Sequence, residues 1–236
     1  MSQPPDENAI AILGGTGDQG LGLALRFASA GRPVVIGSRK LDRAVTAAAE
    51  VRAQVPDARV EGFDNVEATR RARIVILSVP FEHTASTVKG LKEILQPGQI
   101  VVSMGVPLAT AVGDGPLRTV GVWQGSCAEL VSSLVPKDVD VVSAFQNVPS
   151  HRLQHLAGPV ECDVIVSGAR AARRAVMELC PLVPGMRAVD GGPLANARYV
   201  EEWTALLIGL NIRYKLPEGL CFRLTMDDGR LPEPSA

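Results

Sequence analysis

The sequence predicts an α/β protein built on a doubly wound parallel sheet. Three observations support this fold class. Continuous apolar runs alternate with helical patterns from residue 9 to residue 103, as in sheets whose strands are buried on both faces. The first apolar run leads directly into a glycine-rich turn and then a helix. Right-handed crossovers between such units place helices on both faces of one sheet.

Each element has a local signal in the chain. Apolar runs predict strands at residues 9–13, 33–37, 59–63, 74–79, 100–103, 139–144, 161–166 and 186–189. Helical spacing predicts helices at residues 21–28, 41–55, 65–71, 84–95, 126–134, 169–180 and 195–215. Pro56 ends the second helix, Asp64 or Asn65 caps the third, and Pro80 closes the fourth strand. The broad apolar surface of the last helix predicts core packing and a dimer interface.

Residues 104–124 interrupt this alternation. The stretch is rich in glycine and proline and follows the carboxyl end of a predicted strand. Long irregular loops in compact domains are usually functional or disordered, and ligands of parallel sheets bind at the carboxyl ends of the strands. We therefore expect this stretch to form a wall or lid of a substrate site.

The glycine-rich turn has the spacing of a dinucleotide-binding motif. Gly15, Gly17 and Gly20 follow a strand and open a helix. In this motif the first glycine permits the tight turn, the second lets the backbone approach a pyrophosphate, and the third lets the helix pack closely. The N–H groups at the start of the helix would hold the phosphates.

The tip of the second strand indicates which dinucleotide binds. NAD-binding proteins usually have a carboxylate there for the ribose 2′-hydroxyl. This chain instead has Ser38, Arg39 and Lys40, with Arg43 one turn later. Because a guanidinium binds a phosphate through paired, charged hydrogen bonds, the pattern favours NADP. The alternative is a solvated basic helix start with Asp42 as its partner.

Composition limits the classes of partner. The chain has 236 residues and a net charge of −1, so we expect neither a nucleic acid partner nor an anionic membrane. The first residues lack the features of a signal peptide, and no apolar run is long enough to span a bilayer. Four scattered cysteines predict reduced thiols in a cytoplasmic protein.

The chain offers few groups for acid–base or metal chemistry. His151 and His155 lie four residues apart on a predicted helix, a spacing that fits a solvated face better than a metal site. His83 follows a central strand at its carboxyl edge, where it could contact a cofactor or cap its own helix. An enzyme that moves a hydride between two cofactors needs no acid–base pair, because it acts by proximity and orientation. We therefore expect neither a metal nor a catalytic side chain.

Several motifs together resemble one family, the F420H2:NADP oxidoreductases. The shared motifs are LGGTGDQG at 13–20, GSR at 37–39, VPFEH at 79–83, SCAE at 126–129, VSAF at 142–145, GPLANAR at 192–198 and NIRYK at 211–215. The resemblance implies reversible hydride exchange between NADP and the deazaflavin coenzyme F420, with both as small-molecule partners. It also implies a homodimer, with a Rossmann NADP-binding domain at residues 1–145. A small C-terminal α/β portion at residues 146–236 would serve the substrate side and dimerisation.

The resemblance also implies which residues line the site. NADP contacts at the phosphates fall on Gly15, Thr16, Gly17, Asp18 and Gln19. Contacts at the 2′-phosphate fall on Ser38, Arg39 and Arg43, and those on the nicotinamide side fall on Val79, His83, Val106 and Ser150. The predicted substrate-side residues are Gln146, Val148, Leu194 and Asn196.

Two departures from the family pattern leave alternatives open. Gln146 stands where the family often has histidine, and the loop after the fifth strand starts Met104-Gly105 rather than with an Asn-Pro pair. Both lie where the second substrate would sit. One alternative is an NADPH-dependent reductase of a flavin, a metal chelate or an imine. The other is a non-catalytic protein that senses NADP.

Overall fold

One eight-stranded sheet organises the chain in this computed structural model, which describes residues 4–225. The strands are β1 (Asp6–Leu13), β2 (Val34–Ser38), β3 (Val60–Asp64), β4 (Ala72–Leu77), β5 (Ile100–Ser103), β6 (Asp140–Ser143), β7 (Cys162–Gly168) and β8 (Met186–Asp190). Their order across the sheet is β3-β2-β1-β4-β5-β6-β7-β8. Strands β1 to β6 are parallel, which confirms the predicted doubly wound α/β fold.

Helices cover both faces of this sheet. They are α1 (Asp18–Ser29), α2 (Leu41–Gln54), α3 (Asn65–Arg71), α4 (Phe81–Leu91), α5 (Cys127–Leu134), α6 (Ser150–Gln154), α7 (Arg170–Met177) and α8 (Ala197–Tyr214). Short 3-10 turns occur at Ala109–Val112, Cys180–Leu182 and Leu194–Asn196. Within the described range, no helix is both long enough and apolar enough to cross a membrane. All four cysteines are free thiols.

Alternating residues of the central strand face two separate cores. Ile10 and Ile12 of β1 belong to the cluster that includes residues of α1, α2 and α7. Ala9, Ala11 and Leu13 belong to the cluster that includes residues of α3, α4 and α5. Because both faces of the strand are buried, its sequence is continuously apolar rather than alternating. This burial fixes the carboxyl edge of the sheet, where the site is built.

The sheet is not parallel throughout, and β7 is the exception. Val142 pairs with Gly168 and Ser143 pairs with Ser167 in an antiparallel register, while β8 runs parallel to β7. A parallel connection needs a crossover along the sheet, but the connection here contains only the five-residue helix α6, which packs on α1. The first residues of β7 therefore extend past the carboxyl end of β6 and border the site.

The predicted bounds of three helices were wrong. Helix α4 begins at Phe81, directly after Pro80, and ends at Leu91; beyond it the Ile94 and Leu95 N–H groups both donate to the Leu91 carbonyl, which closes a tighter turn. Helix α7 ends at Met177, and a 3-10 turn follows. Helix α6 ends at Gln154, so His151 and His155 do not share a helix. The division at residues 145 and 146 remains a prediction, and its second part is described to residue 225.

Candidate functional site

The turn after β1 has room for glycine alone. Gly14 has a φ of +77°, and a Cβ there would lie 2.2 Å from the Ser78 carbonyl oxygen. A Cβ on Gly20 would lie 2.8 Å from the Gly14 carbonyl oxygen, which confirms that the start of α1 packs closely on the turn. The left-handed residue of the turn is therefore Gly14, which precedes the first glycine of the motif. Gly15 has no room for a side chain because its Cβ would lie 2.9 Å from the Ile12 carbonyl oxygen.

The start of α1 presents backbone N–H groups to open space. Gly17 is the N-cap residue, and a Cβ there would meet only the Gly14 carbonyl oxygen, at 3.5 Å. The Gln19 side chain points elsewhere, because its Nε2 donates to the Phe145 and Val148 carbonyls at 3.0 and 3.1 Å. An anion bound here would thus be held by main-chain N–H groups and the positive end of the helix dipole.

Two cavities meet at this turn, and the first holds the basic residues. It has a volume of about 260 Å³. Its lining comprises Gly14, Thr16, Gly17, Ser38, Arg39, Lys40, Arg43, Asn65, Ser78, Val79, Pro80, His83 and Thr87. His83 lies in the first turn of α4, whose N-cap is Pro80 and has no side-chain cap bond. The imidazole therefore lines the cavity rather than capping its helix.

The arginines of this cavity are free to bind an anion. Arg39 and Arg43 are exposed, and neither forms an ion pair or a hydrogen bond with any residue in the range 4–225. In particular, Asp42 does not pair with either arginine, although the alternative interpretation, a solvated basic helix start, required such a pair. The Ser38 hydroxyl accepts from the Lys40 N–H at 3.2 Å and still has its proton to donate. A hydroxyl and two cations thus face one space.

The second cavity is larger, with a volume of about 470 Å³. Its lining comprises Gly17, Asp18, Gln19, Ser78, Val79, Pro80, Phe81, Glu82, Met104, Gly105, Val106, Leu108, Thr110, Gln146, Asn147, Val148, Pro149, Ser150, Thr204, Leu207, Ile208, Asn211 and Leu220. It shares Gly17, Ser78, Val79 and Pro80 with the first cavity. The two cavities therefore form one groove along the carboxyl ends of the strands.

The loop at residues 104–124 contributes one wall of this cavity, as predicted. Met104, Gly105, Val106, Leu108 and Thr110 line it. The loop is less irregular than its composition suggested, because it contains a 3-10 turn and an antiparallel bridge between Leu108 and Thr119.

Two adjacent amides form the inner end of the cavity. Asn147 is 3% exposed, and its Nδ2 donates to the Asp163 carbonyl at 2.9 Å and to Cys162 Sγ at 3.3 Å. Gln146 is 5% exposed, and its Nε2 donates to the Ser143 hydroxyl at 2.8 Å. The side-chain oxygens of both amides are buried and have no hydrogen-bond partner in the part of the chain that the structure describes. Such acceptors are costly to bury unless a ligand satisfies them.

A buried carboxylate supports the opposite wall. Glu201 of α8 accepts from the Cys127 N–H at 2.8 Å and from the Ala128 N–H at 3.1 Å, at the start of α5. Burial raises the pKa of Glu201 to about 7, an effect that the two N–H groups oppose and that nearby Glu129 and Glu202 reinforce. The two hydrogen bonds to Glu201 join α8 to α5, one turn before the α8 residues that line the second cavity.

The structure brings most predicted site residues to the groove. Thr16, Gly17, Ser38, Arg39, Arg43, Val79 and His83 line the first cavity; Gly17, Asp18, Gln19, Val79, Val106, Gln146, Val148 and Ser150 line the second. Gly15 lies in the turn itself and lines neither cavity. Leu194 and Asn196 also line neither: Leu194 packs against the core, and Asn196 Nδ2 donates to the Gly191 carbonyl at 2.7 Å. Their substrate-side role remains a prediction.

Sequence reasoning missed the contribution of α8. Thr204, Leu207, Ile208 and Asn211 line the second cavity, whereas the pattern assigned the apolar residues of this helix to the core and a dimer interface. It also missed Asn65 and Asn147. Asn65 directly follows β3, and this position at the ligand-binding edge of the sheet could have identified it.

Two other features of the molecule do not form part of this site. A hollow of about 1110 Å³ lies at the amino ends of the strands, beside Pro33 and Arg59, away from the edge where parallel sheets bind ligands. Within residues 4–225, no group of histidine, cysteine and acidic residues could hold a metal ion.

Comparison with known proteins shows the family of this chain. A family model described as NADP oxidoreductase, coenzyme F420-dependent, matches residues 9–107. The F420-dependent NADP reductase of Methanocaldococcus jannaschii is 48% identical over 221 residues, which cover 92% of this chain and 97% of that protein. The chain belongs to the F420-dependent NADP reductase family. The family's enzyme from Methanothermobacter marburgensis is 42% identical over 88% of this chain and 94% of that protein.

Solved structures agree on the fold. A protein described as an F420-dependent NADP reductase from Arthrobacter sp. FB24 superposes with a TM-score of 0.76 at 22% identity, over 92% of this chain and 99% of that one. A hypothetical protein, SMa0349, from Sinorhizobium meliloti superposes with a TM-score of 0.66 at 27% identity, over 84% of this chain and 91% of that one.

Proposed function

We propose that this protein is an oxidoreductase that transfers a hydride reversibly between NADP(H) and coenzyme F420. Family membership supports this reaction, and one structural observation supports it for this chain in particular. A single groove joins a cavity with two unpaired arginines to a larger cavity that ends in two amides whose side-chain oxygens have no partner among the described residues. The first cavity fits the 2′-phosphate half of NADP, and the second has space beyond the turn for a second ligand.

The residues present fit the phosphates of NADP. The start of α1 lies beside both cavities, since its N-cap residue Gly17 lines each of them, and the helix dipole favours an anion there. Arg39, Arg43 and the Ser38 hydroxyl would bind the 2′-phosphate by charged hydrogen bonds. Thr16 and His83 complete the lining of that cavity.

The second cavity is suited to holding two flat rings and excluding water. When bound, the nicotinamide and deazaflavin rings supply the carbon that gives up the hydride and the carbon that accepts it. The chain contributes apolar walls from Val106, Val148, Leu207 and Ile208. Gln19 fixes the loop after β6 to the start of α1 through two hydrogen bonds. These contacts hold the two ligand sites in a constant relative position, so catalysis follows from proximity and orientation.

Three further features belong to the same proposal. An exposed apolar face on α8, at Tyr199, Trp203 and Leu206, supports a homodimer. Four free thiols support a reducing compartment such as the cytoplasm. The net charge of −1 favours small-molecule partners over nucleic acid. We also propose the division into an NADP-binding part, residues 1–145, and a C-terminal part that carries α8.

A spectroscopic assay tests the reaction. Purified protein is mixed with NADPH and oxidised F420, and bleaching of the deazaflavin absorbance is followed, with NADH as the control. We expect rapid bleaching with NADPH and slow bleaching with NADH. Bleaching of a flavin, or reduction of an imine or a metal chelate, in the absence of F420 turnover would contradict the proposal. Tight NADPH binding without turnover of any acceptor would point instead to a sensor.

A further inference from the structure

The orientation of the Asn147 amide is fixed by the protein. Its Nδ2 faces a backbone carbonyl, that of Asp163, and Cys162 Sγ. A carbonyl only accepts hydrogen bonds, so the amide cannot turn its oxygen to that side. The group that remains free is therefore Oδ1. Gln146 differs, because its partner Ser143 carries a hydroxyl that can donate or accept, and either end of that amide can face the cavity.

This free acceptor lies at the border between the two parts of the sheet. Asn147 follows β6, the last strand of the parallel block, and is bonded to β7, which extends past the carboxyl end of β6. It lines the second cavity together with Leu220 and residues of α8. The first cavity, which the basic residues line, lies at the other end of the groove, beyond Ser78 and Val79. Asn147 thus belongs to the end of the groove that is distant from the arginines.

We infer that Asn147 Oδ1 is a specificity determinant for the hydride-accepting ring, where it accepts a hydrogen bond from a ring N–H. This inference rests on the proposed function. The pyrimidinedione edge of a deazaflavin presents one N–H, at N3, between two carbonyl groups. An unpaired buried acceptor selects for such a donor, because a ligand without it leaves the acceptor unsatisfied. The nicotinamide carboxamide also carries N–H groups, so the test must distinguish the two ligands.

Binding measurements distinguish the deazaflavin from the nicotinamide as the ligand of Asn147, without turnover. Oxidised F420 is titrated in the presence of NADP⁺, which cannot reduce it, and its fluorescence gives a Kd. NADP⁺ is titrated separately by calorimetry. We expect Asn147→Ala to raise the Kd of F420 by about 10-fold, the size of one buried hydrogen bond, and to leave the Kd of NADP⁺ within about twofold. An unchanged Kd for F420, or a loss confined to NADP⁺, would overturn the inference.

Gln99 provides a matched control. It is a buried amide whose Nε2 donates to the Thr69 and Ala72 carbonyls, both at 2.7 Å, and it lines neither cavity of the groove. Gln99→Ala should lower the thermal stability as Asn147→Ala does, since both leave buried carbonyls unpaired. It should leave the Kd of F420 unchanged. A similar loss of F420 binding in both variants would attribute the effect to destabilisation and overturn the inference.

A modified ligand keeps the test independent of the variant's folding. A deazaflavin methylated at N3 has no ring N–H, and we expect the unaltered protein to bind it about 10-fold more weakly. In Asn147→Ala the penalty for methylation should shrink. Equal binding of both ligands by the unaltered protein would overturn the inference. Failure of that protein to bind F420 at all would instead refute the proposed function.

Discussion

At the scale of single residues, the assignment of NADP as the bound nucleotide can be tested at two exposed arginines beside Ser38. Arg39 and Arg43 have no partner within residues 4–225, so a bound phosphate would be their first. A hydrogen bond between charged groups contributes about 1.5–3 kcal/mol. Arg39→Ala should therefore raise the KM for NADPH by about 10- to 100-fold and leave that for NADH nearly unchanged, in steady-state assays with F420.

The matched control for Arg39 is Arg70, an exposed arginine that pairs with Glu67 outside the groove. Arg70→Ala should change neither KM. An equal rise for NADPH and NADH in Arg39→Ala would show that the guanidinium does not contact the 2′-phosphate.

The four thiols should differ widely in reactivity. A hydrogen bond from Cys162 and the charge of Arg152 lower the pKa of the half-buried Cys221. Burial raises the pKa of Cys127 and of Cys180 to about 12, and the hydrogen bond with Cys221 raises that of Cys162. Because the thiolate is the reactive form, iodoacetamide at pH 7.5 should label Cys221 first. Mass spectrometry of peptides measures this; equal labelling of Cys180 would refute it.

The residues differed in how well the sequence predicted them. The cations at Ser38-Arg39-Lys40 follow a strand directly, so their place at the edge of the sheet depends only on local order. Asn147 could not be predicted, because its role depends on the Asp163 carbonyl, which a distant strand supplies. The left-handed conformation of Gly14 was not predicted, because the motif does not encode φ.

The contact between α5 and α8 yields a pH prediction at the scale of elements. Glu201 has a pKa of about 7 in the folded protein against an ordinary value of 4.5. Between these values the folded state binds more protons than the unfolded state, so stability falls as pH rises. From pH 5 to pH 8, this group should lower the free energy of unfolding by about 2 kcal/mol. Urea unfolding at both pH values measures the change.

Substitution identifies the group responsible. Glu201→Gln cannot ionise, so its stability should vary less between pH 5 and pH 8. Glu202→Gln, at the exposed neighbouring position, should retain most of the dependence, because the Glu202 charge is the smallest of the causes that raise the Glu201 pKa. An identical pH dependence in Glu201→Gln would assign the titration to another group.

Elements were predicted where hydrophobic pattern alone determines them. The buried runs of β1, β2, β4, β5 and β6 fit strands covered on both faces. The direction of β7 was not predictable, because an apolar run has the same pattern in either orientation; the short helix α6 decides it. The apolar surface of α8 divides between the cavity, α5 and solvent, and periodicity does not distinguish these surroundings.

At the scale of the whole molecule, α8 leaves an apolar face uncovered. Tyr199, Trp203 and Leu206 follow one another at helical spacing and are 61%, 48% and 60% exposed. Trp123 of the loop beside the cavity is 99% exposed, and Leu117 of the same loop approaches Gly209 of α8. Exposed apolar patches on a protein surface often mark an interaction site. A second copy of the chain would bury this face beside the second cavity.

This argument predicts the mass of the protein in solution. Each chain has a mass of 24.9 kDa, and light scattering should give twice that value. Leu206→Glu places a charge on the exposed face, and a buried unpaired charge strongly destabilises an interface, so the variant should shift to the mass of one chain. Val45→Glu on α2, at a position that is 49% exposed, should remain a dimer. A single-chain mass for the unaltered protein would refute the interface.

Because α8 also lines the second cavity, a monomeric Leu206→Glu that binds F420 more weakly would show that dimerisation supports the site.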